Sequence, residues 1–506
     1  MELFDAGGRR PAAPQRRRVA RLGDMGEPGF DLFLDHVPDV HLEVWLLAGE
    51  APGLGGLVRI ARVRIGQRIP RTGPGRVQGD PADDAVVGMV AVAAERIEGE
   101  QHVRLRGADL ANQLAPQVKA FGQLGVWMPP VRSPVKILFQ SRPFLEQHVR
   151  DQLAARDNVR IMDACEVSQL CAHKDGITGV VLRYRSGEQH EEALSADLVV
   201  DASGRGSRAP QWLNSLGYGN VQETSVKIDV GYATRIYRCP AQLPANWKAL
   251  LIYGRPPDDK RGGVIFPIQG GYWMVTLIGS LRDYPPDDEA GFLEFARSLA
   301  QPDLYEAIKD AEPITPNAVY KYSANRWRHY ERMERLPEGF IIMGDAACSF
   351  NPVYAQGMSV AAVEAQSLDR CLREQEKFAG NNSWIGFTPR FQQAIARDIK
   401  TPWLLSTGED LRFPGAEGKR SLSIRLLNRY MQRVIELTAS DPHMTATLLR
   451  VRNLLKPLST LFRPHIILAV LRQELAAFRQ QPTVTAPASE VSAPVYSSSE
   501  PLHSEV

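Results

Sequence analysis

The 506-residue chain is long enough for two or three structural units, and its 44% hydrophobic content suffices for a large core. Sixty Lys and Arg residues against 58 Asp and Glu residues give a net charge of +2, which argues against a nucleic-acid partner. Five cysteines without a CxxC pair favour a reducing cytoplasm over a disulfide framework or a metal site.

Residues 1–120 differ in composition from the rest of the chain. No Ser occurs before Ser133 and no Lys before Lys119, although both are common in globular proteins. Two interpretations stay open: a loose extension rich in Arg, Gly and Pro, or a segment translated from the wrong frame or strand of GC-rich DNA. We favour the second, with the switch between Val103 and Val131.

No GxGxxG phosphate-binding motif occurs in the chain. The nearest candidate is Gly49-Glu-Ala-Pro-Gly53-Leu-Gly55-Gly56, which follows the apolar residues 41–48. Its spacing is wrong for a dinucleotide-binding turn, and Pro52 lies inside the turn. We therefore expect no phosphate site in this part of the chain.

Regular apolar periodicity begins near Ser133. The stretch after Ser141-Arg142-Pro143 predicts a helix to residue 155. Strands are predicted at residues 159–162, with their continuation and a turn at 163–170, and at residues 179–184. The sequence ADLVVDASGRG then predicts a buried strand that ends at Asp201, followed by a Gly- and Ser-rich turn containing Gly204 and a short helix.

The next segment predicts an antiparallel sheet, an α+β insert that covers one side of a pocket. Its strands are predicted at residues 226–236, 248–253, 263–268 and 272–278. The candidate pocket-lining residues are Tyr232, Tyr237, Phe266, Tyr272, Trp273 and Met274. One helix is predicted over residues 288–308. The basic residues of 326–332 either face solvent, which we favour, or face the phosphates of a nicotinamide nucleotide.

The stretch Gly339–Leu372 predicts a short strand, Gly344-Asp345, a loop with Pro352, and a helix opened by Gln356-Gly357. The unpaired N–H groups of a first helical turn attract a pyrophosphate or the electron-rich edge of a flavin. Asp345, at the end of the strand, is placed to accept hydrogen bonds from a ribose.

Beyond this stretch the chain is predicted to be helical to about Arg479, with breaks near Pro402, Pro414 and Pro457. Residues 454–471 mix apolar residues with Lys and Arg, so they either pack against the core or make weak peripheral contact with a membrane. Residues 480–506 are rich in Ser, Pro, Thr and Glu and are predicted to be a disordered tail.

The sequence GDAACSFNPVYAQGMS, which begins at Gly344, resembles the second flavin-binding motif of the class A FAD-dependent monooxygenases, the para-hydroxybenzoate hydroxylase fold. ADLVVDASGRG resembles the middle motif of that family, and the resemblance extends from about Gly125 onward. It implies an α/β fold: an FAD/NAD(P)-binding Rossmann-like domain, incomplete at its N-terminus, an antiparallel-sheet substrate domain and a helical C-terminal region.

The resemblance assigns roles along the chain. Arg142 matches an Arg of the family that reaches the flavin from the start of its helix. The predicted cofactor-binding residues are Arg142, Asp201, Gly204, Gly344, Asp345, Pro352, Gln356, Gly357 and Met358. The expected division is an aberrant segment at 1–120, the FAD-binding domain at 121–218 and 335–400, the substrate domain at 219–334, the helical region at 401–479 and the tail at 480–506.

Two residues depart from the family pattern. Cys348 stands where the family usually has His, and Ala355 stands where it usually has Gly. If Ala355 adopts a positive φ, the strain costs about 1 kcal/mol. The form of the motif is closer to bacterial hydroxylases and epoxidases than to phenol hydroxylases.

The function implied is an FAD-dependent monooxygenase that uses NAD(P)H and O₂ to hydroxylate or epoxidise an apolar small molecule. The chemistry resides on the flavin, so no protein residue is assigned as catalytic and no metal is expected. The alternatives are a flavin-dependent reductase on the same scaffold, or a defective homologue that cannot hold FAD. A halogenase is disfavoured because the chain lacks a WxWxIP signature.

Overall fold

The computed structural model describes residues 40–49, 56–65, 111–113, 118–122, 124–128, 136–174, 176–185, 190–240, 247–379 and 384–479. The described residues form seventeen strands and nine helices. The strands are β1 (Val40–Gly49), β2 (Gly56–Ile65), β3 (Ala111–Gln113), β4 (Val118–Phe121), β5 (Lys136–Leu138), β6 (Val159–Asp163), β7 (Cys165–His173), β8 (Gly176–Tyr184), β9 (Glu191–Ser195), β10 (Val199–Asp201), β11 (Glu223–Arg238), β12 (Ala249–Ile252), β13 (Arg261–Ile268), β14 (Tyr272–Gly279), β15 (Ala318–Arg328), β16 (Phe340–Ile342) and β17 (Cys348–Ser349). The helices are α1 (Arg142–Ala154), α2 (Ala209–Ser215), α3 (Glu289–Arg297), α4 (Asp303–Ile308), α5 (Gly357–Ala379), α6 (Phe387–Asp410), α7 (Leu422–Leu437), α8 (Pro442–Arg452) and α9 (Pro464–Arg479).

The two strands that precede the strongest motifs are neighbours. β10 and β16 pair in parallel, with Val199 opposite Phe340 and Asp201 opposite Ile342. All residues of both strands are buried, and α5 and α6 pack around them, with Phe387 and Phe391 in the same core. Since the carboxyl ends of parallel strands meet at one edge, the turns after β10 and β16 lie together. The predicted α/β organisation of this part is confirmed.

The N-terminal part contributes a hairpin. β1 pairs with β2 antiparallel along its full length, from Val40 opposite Ile65 to Gly49 opposite Gly56, and pairs with β6 in parallel. A Rossmann-like domain would instead follow its first strand with a phosphate-binding turn and a helix. Residues 50–55 of the Gly-rich candidate lie outside the described residues, as do residues 1–39 and the predicted tail at 480–506.

The antiparallel sheet is larger than the sequence indicates. Its seven strands follow the order β17-β15-β11-β14-β13-β12-β4, so the four predicted strands are present and three more join them. β15 escapes sequence detection because its residues AVYKYSANRWR mix charged, amide and aromatic side chains. The helices α3 and α4 cover one face, where Trp273, Phe292 and Leu304 pack together.

Two predictions about where helices are interrupted were wrong, and both concern positions that contain proline. The single helix expected over residues 288–308 is two helices, because Pro302 stands at the start of α4 and disfavours helical geometry at the residue before it. The break expected at Pro402 is absent: α6 continues through this residue, which is buried in the helix interior. The breaks near Pro414 and Pro457 are confirmed, because α6 ends at Asp410 and α8 at Arg452.

The C-terminal helices form a separate core. Met431 and Val434 of α7 pack with Leu448 of α8 and with Ile466 and Val470 of α9. Within the described part of the chain, no helix is long and apolar enough to cross a membrane.

Candidate cofactor site

The turns after β10 and β16 form one surface. The Met343 amide donates to the Asp201 carbonyl at 3.0 Å, and each strand is followed by a short 3₁₀ turn, Gly204–Gly206 and Gly344–Ala346. Gly204 and Gly344 have φ of +79° and +63°, and a Cβ atom on either would meet no atom within 4 Å. Glycine therefore lets both backbones turn sharply and leaves open space for a ligand to approach them.

Asp201 lies beneath the first turn. One carboxylate oxygen accepts hydrogen bonds from the Ser203 amide at 2.9 Å and the Ser203 hydroxyl at 2.5 Å, and the other accepts from the Ser207 hydroxyl at 2.6 Å. The side chain is buried. In this structure Asp201 therefore shapes the turn, and any contact with a ligand is made by the turn that it holds.

Asp345 lies in the second turn and is exposed to solvent, yet protein surrounds it on several sides. Desolvation raises the pKa of its carboxyl group, and the positive charges of Arg205 and Arg142 oppose this rise. A Cβ atom on Gly357 would lie 3.8 Å from Asp345 Oδ1, so the second turn meets the N-terminus of α5. The structure thus brings together three predicted residues, Gly344, Asp345 and Gly357, and the charge of Arg142 acts on Asp345.

Arg205 is a site residue that the sequence interpretation missed, although it stands in the DASGRG motif. Its guanidinium lies 4.0 Å from the centre of the Tyr322 ring, and Nη2 donates to the Ala324 carbonyl at 3.2 Å. Nη1 is buried and has no hydrogen-bond partner among the described residues. An unpaired cationic donor beside the two open turns suits an anionic group of a ligand.

Arg328, at the end of β15, was predicted to face solvent, and this was wrong. Its side chain is buried: Nη1 donates to the Ala346 carbonyl at 3.0 Å and Nη2 to the Arg205 carbonyl at 3.2 Å. Its Nε donates to Glu223 at 3.0 Å. One guanidinium therefore joins the two turns and connects both to the antiparallel sheet.

The loop between β17 and α5 carries the remaining predicted cofactor residues. Pro352 begins a 3₁₀ turn, and Ala355 ends it with φ of +52°, so the condition for backbone strain at this position is met. Gln356 is buried; its Nε2 donates to the Arg452 carbonyl at 3.3 Å, whereas its Oε1 has no partner within the part of the chain that the structure describes. Met358, in the first turn of α5, is 40% exposed.

A buried hydrogen-bond network fixes this loop. Asp410 of α6 accepts hydrogen bonds from the Tyr354 hydroxyl at 2.7 Å, from Asn351 Nδ2 at 3.0 Å and from Asn325 Nδ2 at 2.6 Å. Asn351 Oδ1 in turn accepts from the Tyr232 hydroxyl at 2.9 Å. Desolvation raises the pKa of Asp410 to about 6 despite its three donors. The loop is therefore tied to both the sheet and the C-terminal helices.

Glu364 of α5 supports the second turn from within the core. The Gly344 amide donates to Glu364 Oε2 at 2.5 Å, and the side chain is fully buried. Desolvation raises the pKa of Glu364 to about 8, so the neutral carboxylic acid predominates at pH 7. The turn that carries Asp345 is thus supported without a second negative charge beside it.

The predicted pocket-lining residues divide between the two faces of the sheet. Tyr232, Phe266 and Met274 lie on the face opposite α3 and α4, where Phe266 stacks on Phe139 with ring centroids 5.4 Å apart. Trp273 and Tyr237 lie on the helix-covered face, within the core that contains α3 and α4. Trp273 is therefore not brought together with the other candidates, because successive side chains of a strand point to opposite faces.

Tyr320 of β15 also lies beside the turns, on the same face as Tyr232. Their ring centroids are 6.3 Å apart, and desolvation raises the pKa of the Tyr320 hydroxyl while the charge of Arg205 opposes the rise. Sequence reasoning missed this residue because it missed β15 itself.

A cavity of about 520 Å³ lies elsewhere, between the sheet edge and the C-terminal helices. Arg255, Asp258, Arg412 and Glu436 are among the residues that line it, and none of the predicted cofactor residues does. The cavity is therefore separate from the two turns.

The described residues fit one half of an FAD site. The open glycine turns, the unpaired Nη1 of Arg205, the unpaired Oε1 of Gln356 and the N-terminus of α5 suit a negatively charged, hydrogen-bonding ligand. The β1–β2 hairpin does not supply the strand–turn–helix unit that would bind a dinucleotide phosphate at the other half.

Comparison with known proteins supports this assignment. The FAD binding domain family matches residues 131–383, which is half of the chain. Protein Rv3254 of Mycobacterium tuberculosis is 32% identical over 278 residues, which cover 54% of this chain and 57% of that protein. The chain therefore spans less than two thirds of that relative.

One solved structure shares the fold at low sequence identity, and others are similar over much of the chain. A flavoprotein/dehydrogenase from Cytophaga hutchinsonii is similar with a TM-score of 0.50 and 14% identity, over 73% of this chain and 83% of that one. The p-nitrophenol 4-monooxygenase PnpA from Pseudomonas putida DLL-E4 gives a TM-score of 0.47 and 16% identity, over 68% and 82%. With the family match over half of its length, the chain belongs to the FAD binding domain family of flavin-dependent oxidoreductases.

Proposed function

We propose that the chain is an FAD-dependent monooxygenase that uses NAD(P)H and O₂ to hydroxylate or epoxidise an apolar small molecule. The observation that carries the proposal is the meeting of the Gly204 turn, the Gly344 turn and the start of α5 beside the unpaired Nη1 of Arg205. Such a surface suits the ribose, pyrophosphate and ring edge of a flavin nucleotide.

Each residue has a role in the proposed site. Asp345 accepts hydrogen bonds from a ribose, and Arg205 and Arg142 bind the anionic groups. Gly204 and Gly344 allow the backbone to approach the cofactor, and Gln356, Gly357 and Met358 present the first turn of α5. The positive end of that helix stabilises negative charge that develops on the pyrimidine edge of the ring.

When bound, FAD supplies the electron transfer and the activation of oxygen. The protein orients the cofactor and excludes water from it. Tyr232, Phe266 and Met274 provide a mainly apolar sheet face, on which the hydroxyls of Thr234 and Thr276 lie 2.8 Å apart and the Tyr232 hydroxyl donates to Asn351. That face favours an apolar substrate that carries few hydrogen-bonding groups.

None of the five cysteines forms a disulfide, and three of them are buried. This supports a proposed location in the reducing cytoplasm.

A FAD titration tests the proposal. The purified chain should be yellow or become so with FAD, with absorbance near about 450 nm, because oxidised flavin absorbs there.

Arg205→Met should weaken FAD binding at least about tenfold, since it removes a charged donor. Arg208→Met is the matched control, because Arg208 is exposed three residues away and should leave FAD affinity unchanged.

A specific observation favours one alternative. The β1–β2 hairpin takes the place of the expected phosphate-binding unit, as it would in a homologue that cannot hold FAD. A colourless chain that takes up no FAD at any concentration would establish that alternative and overturn the proposal.

If FAD binds, incorporation of one atom of labelled O₂ into a product distinguishes a monooxygenase from a reductase, which would incorporate none.

A further inference from the structure

Two C-terminal helices expose apolar side chains at regular spacing. On α7, Leu422 and Leu426 are 68% and 67% exposed, and on α9 Leu468, Leu471 and Leu475 are between 51% and 60% exposed. Single exposed leucines need no explanation, but repeats of three and four residues form a continuous row along each helix. We call these five residues the leucine face.

Ion pairs hold the two rows side by side. Arg433 Nε donates to Glu474 Oε1 at 2.8 Å, and Arg429 Nη2 donates to Glu474 Oε2 at 3.4 Å. Arg429 and Arg433 follow Leu426 by three and seven residues and so share its side of α7. Glu474 follows Leu471 by three residues and so shares its side of α9, which places the rows of α7 and α9 on one surface.

The opposite sides of both helices are already occupied. Met431 and Val434 of α7 and Ile466 and Val470 of α9 are buried in the C-terminal core. The leucine face therefore points away from that core, and burying it requires a further surface.

The charge of the segment that carries the leucine face indicates which kind of surface would cover the face. Residues 419–479 contain eleven Lys or Arg residues and three Asp or Glu residues, a net charge of +8, whereas the whole chain carries +2. Arg425 of α7, Arg463 just before α9 and Arg472 of α9 are exposed. A second copy of the chain would bring two such positive faces together, whereas an anionic surface would neutralise them.

We infer that the leucine face docks on the surface of a membrane that contains anionic lipids. The leucines enter the boundary between headgroups and acyl chains, and the flanking arginines bind lipid phosphates. Both helices lie in the plane of the interface, which needs no membrane-spanning segment. The inference is independent of the proposed oxygenase activity.

Flotation of the full-length protein with lipid vesicles tests the inference. The protein should float with vesicles of phosphatidylcholine and phosphatidylglycerol, and remain at the bottom with phosphatidylcholine alone. Raising the salt from about 0.1 M to 1 M should reduce the bound fraction, because it shortens the Debye length from about 10 Å to 3 Å. The double variant Leu471→Gln, Leu475→Gln should bind at least about tenfold less.

The matched control is Ile385→Gln, which replaces an apolar residue that is 80% exposed before α6, far from α7 and α9 in sequence. It should bind vesicles like the unchanged protein, and all variants should keep the unfolding temperature because the replaced side chains are exposed.

Three results would each overturn the inference. The first is failure of the unchanged protein to float with anionic vesicles. The second is a dimer in solution that the leucine double variant dissociates, without flotation, which would identify a second copy as the occupant. The third is flotation only after removal of residues 480–506, which would show that this segment covers the face.

Discussion

Arg328 donates a hydrogen bond of 3.0 Å from Nη1 to the carbonyl oxygen of Ala346, 18 residues further along the chain. Through Nη2 the same guanidinium also reaches the Arg205 carbonyl. One planar side chain that originates in the antiparallel sheet thus joins the two glycine turns, in addition to the pairing of β10 with β16.

Arg328→Lys should weaken FAD binding about tenfold and lower the free energy of unfolding by about 2 kcal/mol. A lysine cannot make the forked contact to both carbonyls, and a charged hydrogen bond contributes about 1.5–3 kcal/mol. Urea unfolding and FAD titration measure the two effects. Arg326→Lys is the matched control, because Arg326 lies on the same strand with 38% of its side chain exposed. Equal losses in both variants would contradict the role given to Arg328.

The carboxyl group of Glu364 predicts a pH dependence. Its pKa is about 8 in the folded protein and about 4.5 in the unfolded chain, so the folded state holds a proton that the unfolded state loses. Its contribution to stability is therefore complete below pH 4.5 and is lost as the pH rises through 8, with a slope of at most about 1.4 kcal/mol per pH unit.

Glu364→Gln should remove this pH dependence, because the amide cannot ionise and can still accept from the Gly344 amide. Thermal unfolding between pH 5 and pH 9 measures the change. Glu376→Gln, an exposed position on the same helix, should leave the profile as it is. A profile that is identical for Glu364→Gln and the unchanged protein would refute the assignment of the titration to Glu364.

Asp410 predicts a second pH dependence at lower pH. Desolvation raises its pKa from 3.8 to about 6, so the folded state again retains a proton that the unfolded state releases. Its contribution is complete below pH 3.8 and is lost as the pH rises through 6. Asp410→Asn should flatten the stability profile between pH 4 and pH 6 without affecting the region near pH 8.

Asp410→Asn should also lower the free energy of unfolding at pH 7. An amide at position 410 directs an NH₂ group at one of the three donors that now bind the carboxylate, so at least one hydrogen bond is lost. We expect a loss of about 2 kcal/mol in urea unfolding. The exposed Asp310→Asn should change stability by less than about 0.5 kcal/mol. Comparable losses in the two variants would argue against the network.

The positive φ of Ala355 predicts that replacing this residue with glycine stabilises the folded protein. Its φ of +52° places Cβ close to the backbone, which costs an L-residue about 1–2 kcal/mol. Ala355→Gly should relieve this strain and, after the larger entropy of the unfolded chain, raise the free energy of unfolding by about 0.5 kcal/mol. Ala362→Gly, exposed within α5, should lower it by about 1 kcal/mol. Destabilisation by both would contradict the strain at Ala355.

The sequence was sufficient to predict the strands and turns of the site, because their signals are local. The apolar triplets before Asp201 and Gly344, and the helical spacing after Gly357, specify strand–turn and loop–helix units without reference to distant residues. The family pattern, which usually has Gly at position 355, indicated where a positive φ would strain this chain. The family itself was identified from these two motifs alone.

The residues that support the site could not be predicted in this way. A charged residue near a strand end is usually solvated. Arg328 is buried because carbonyl groups from two distant turns accept hydrogen bonds from its guanidinium. Asp410 meets Asn325 across 85 residues, and nothing in the sequence around either residue indicates the contact. Pro402 remains inside α6 because tertiary packing outweighs the local preference of proline.

The pairing of β10 with β16 also has a consequence for the order of folding. Val199 meets Phe340, so the loop that this contact closes contains the whole of β11 to β15. Closing a loop of this length carries a large entropic cost unless the intervening chain is already compact. During synthesis the sheet can therefore fold before the cofactor edge exists, and a nascent chain acquires the ability to retain flavin only after β16 and α5 have emerged. Flavin retention would then report completion of the fold, whereas the unfinished chain would expose the buried strand β10 to chaperones and proteases.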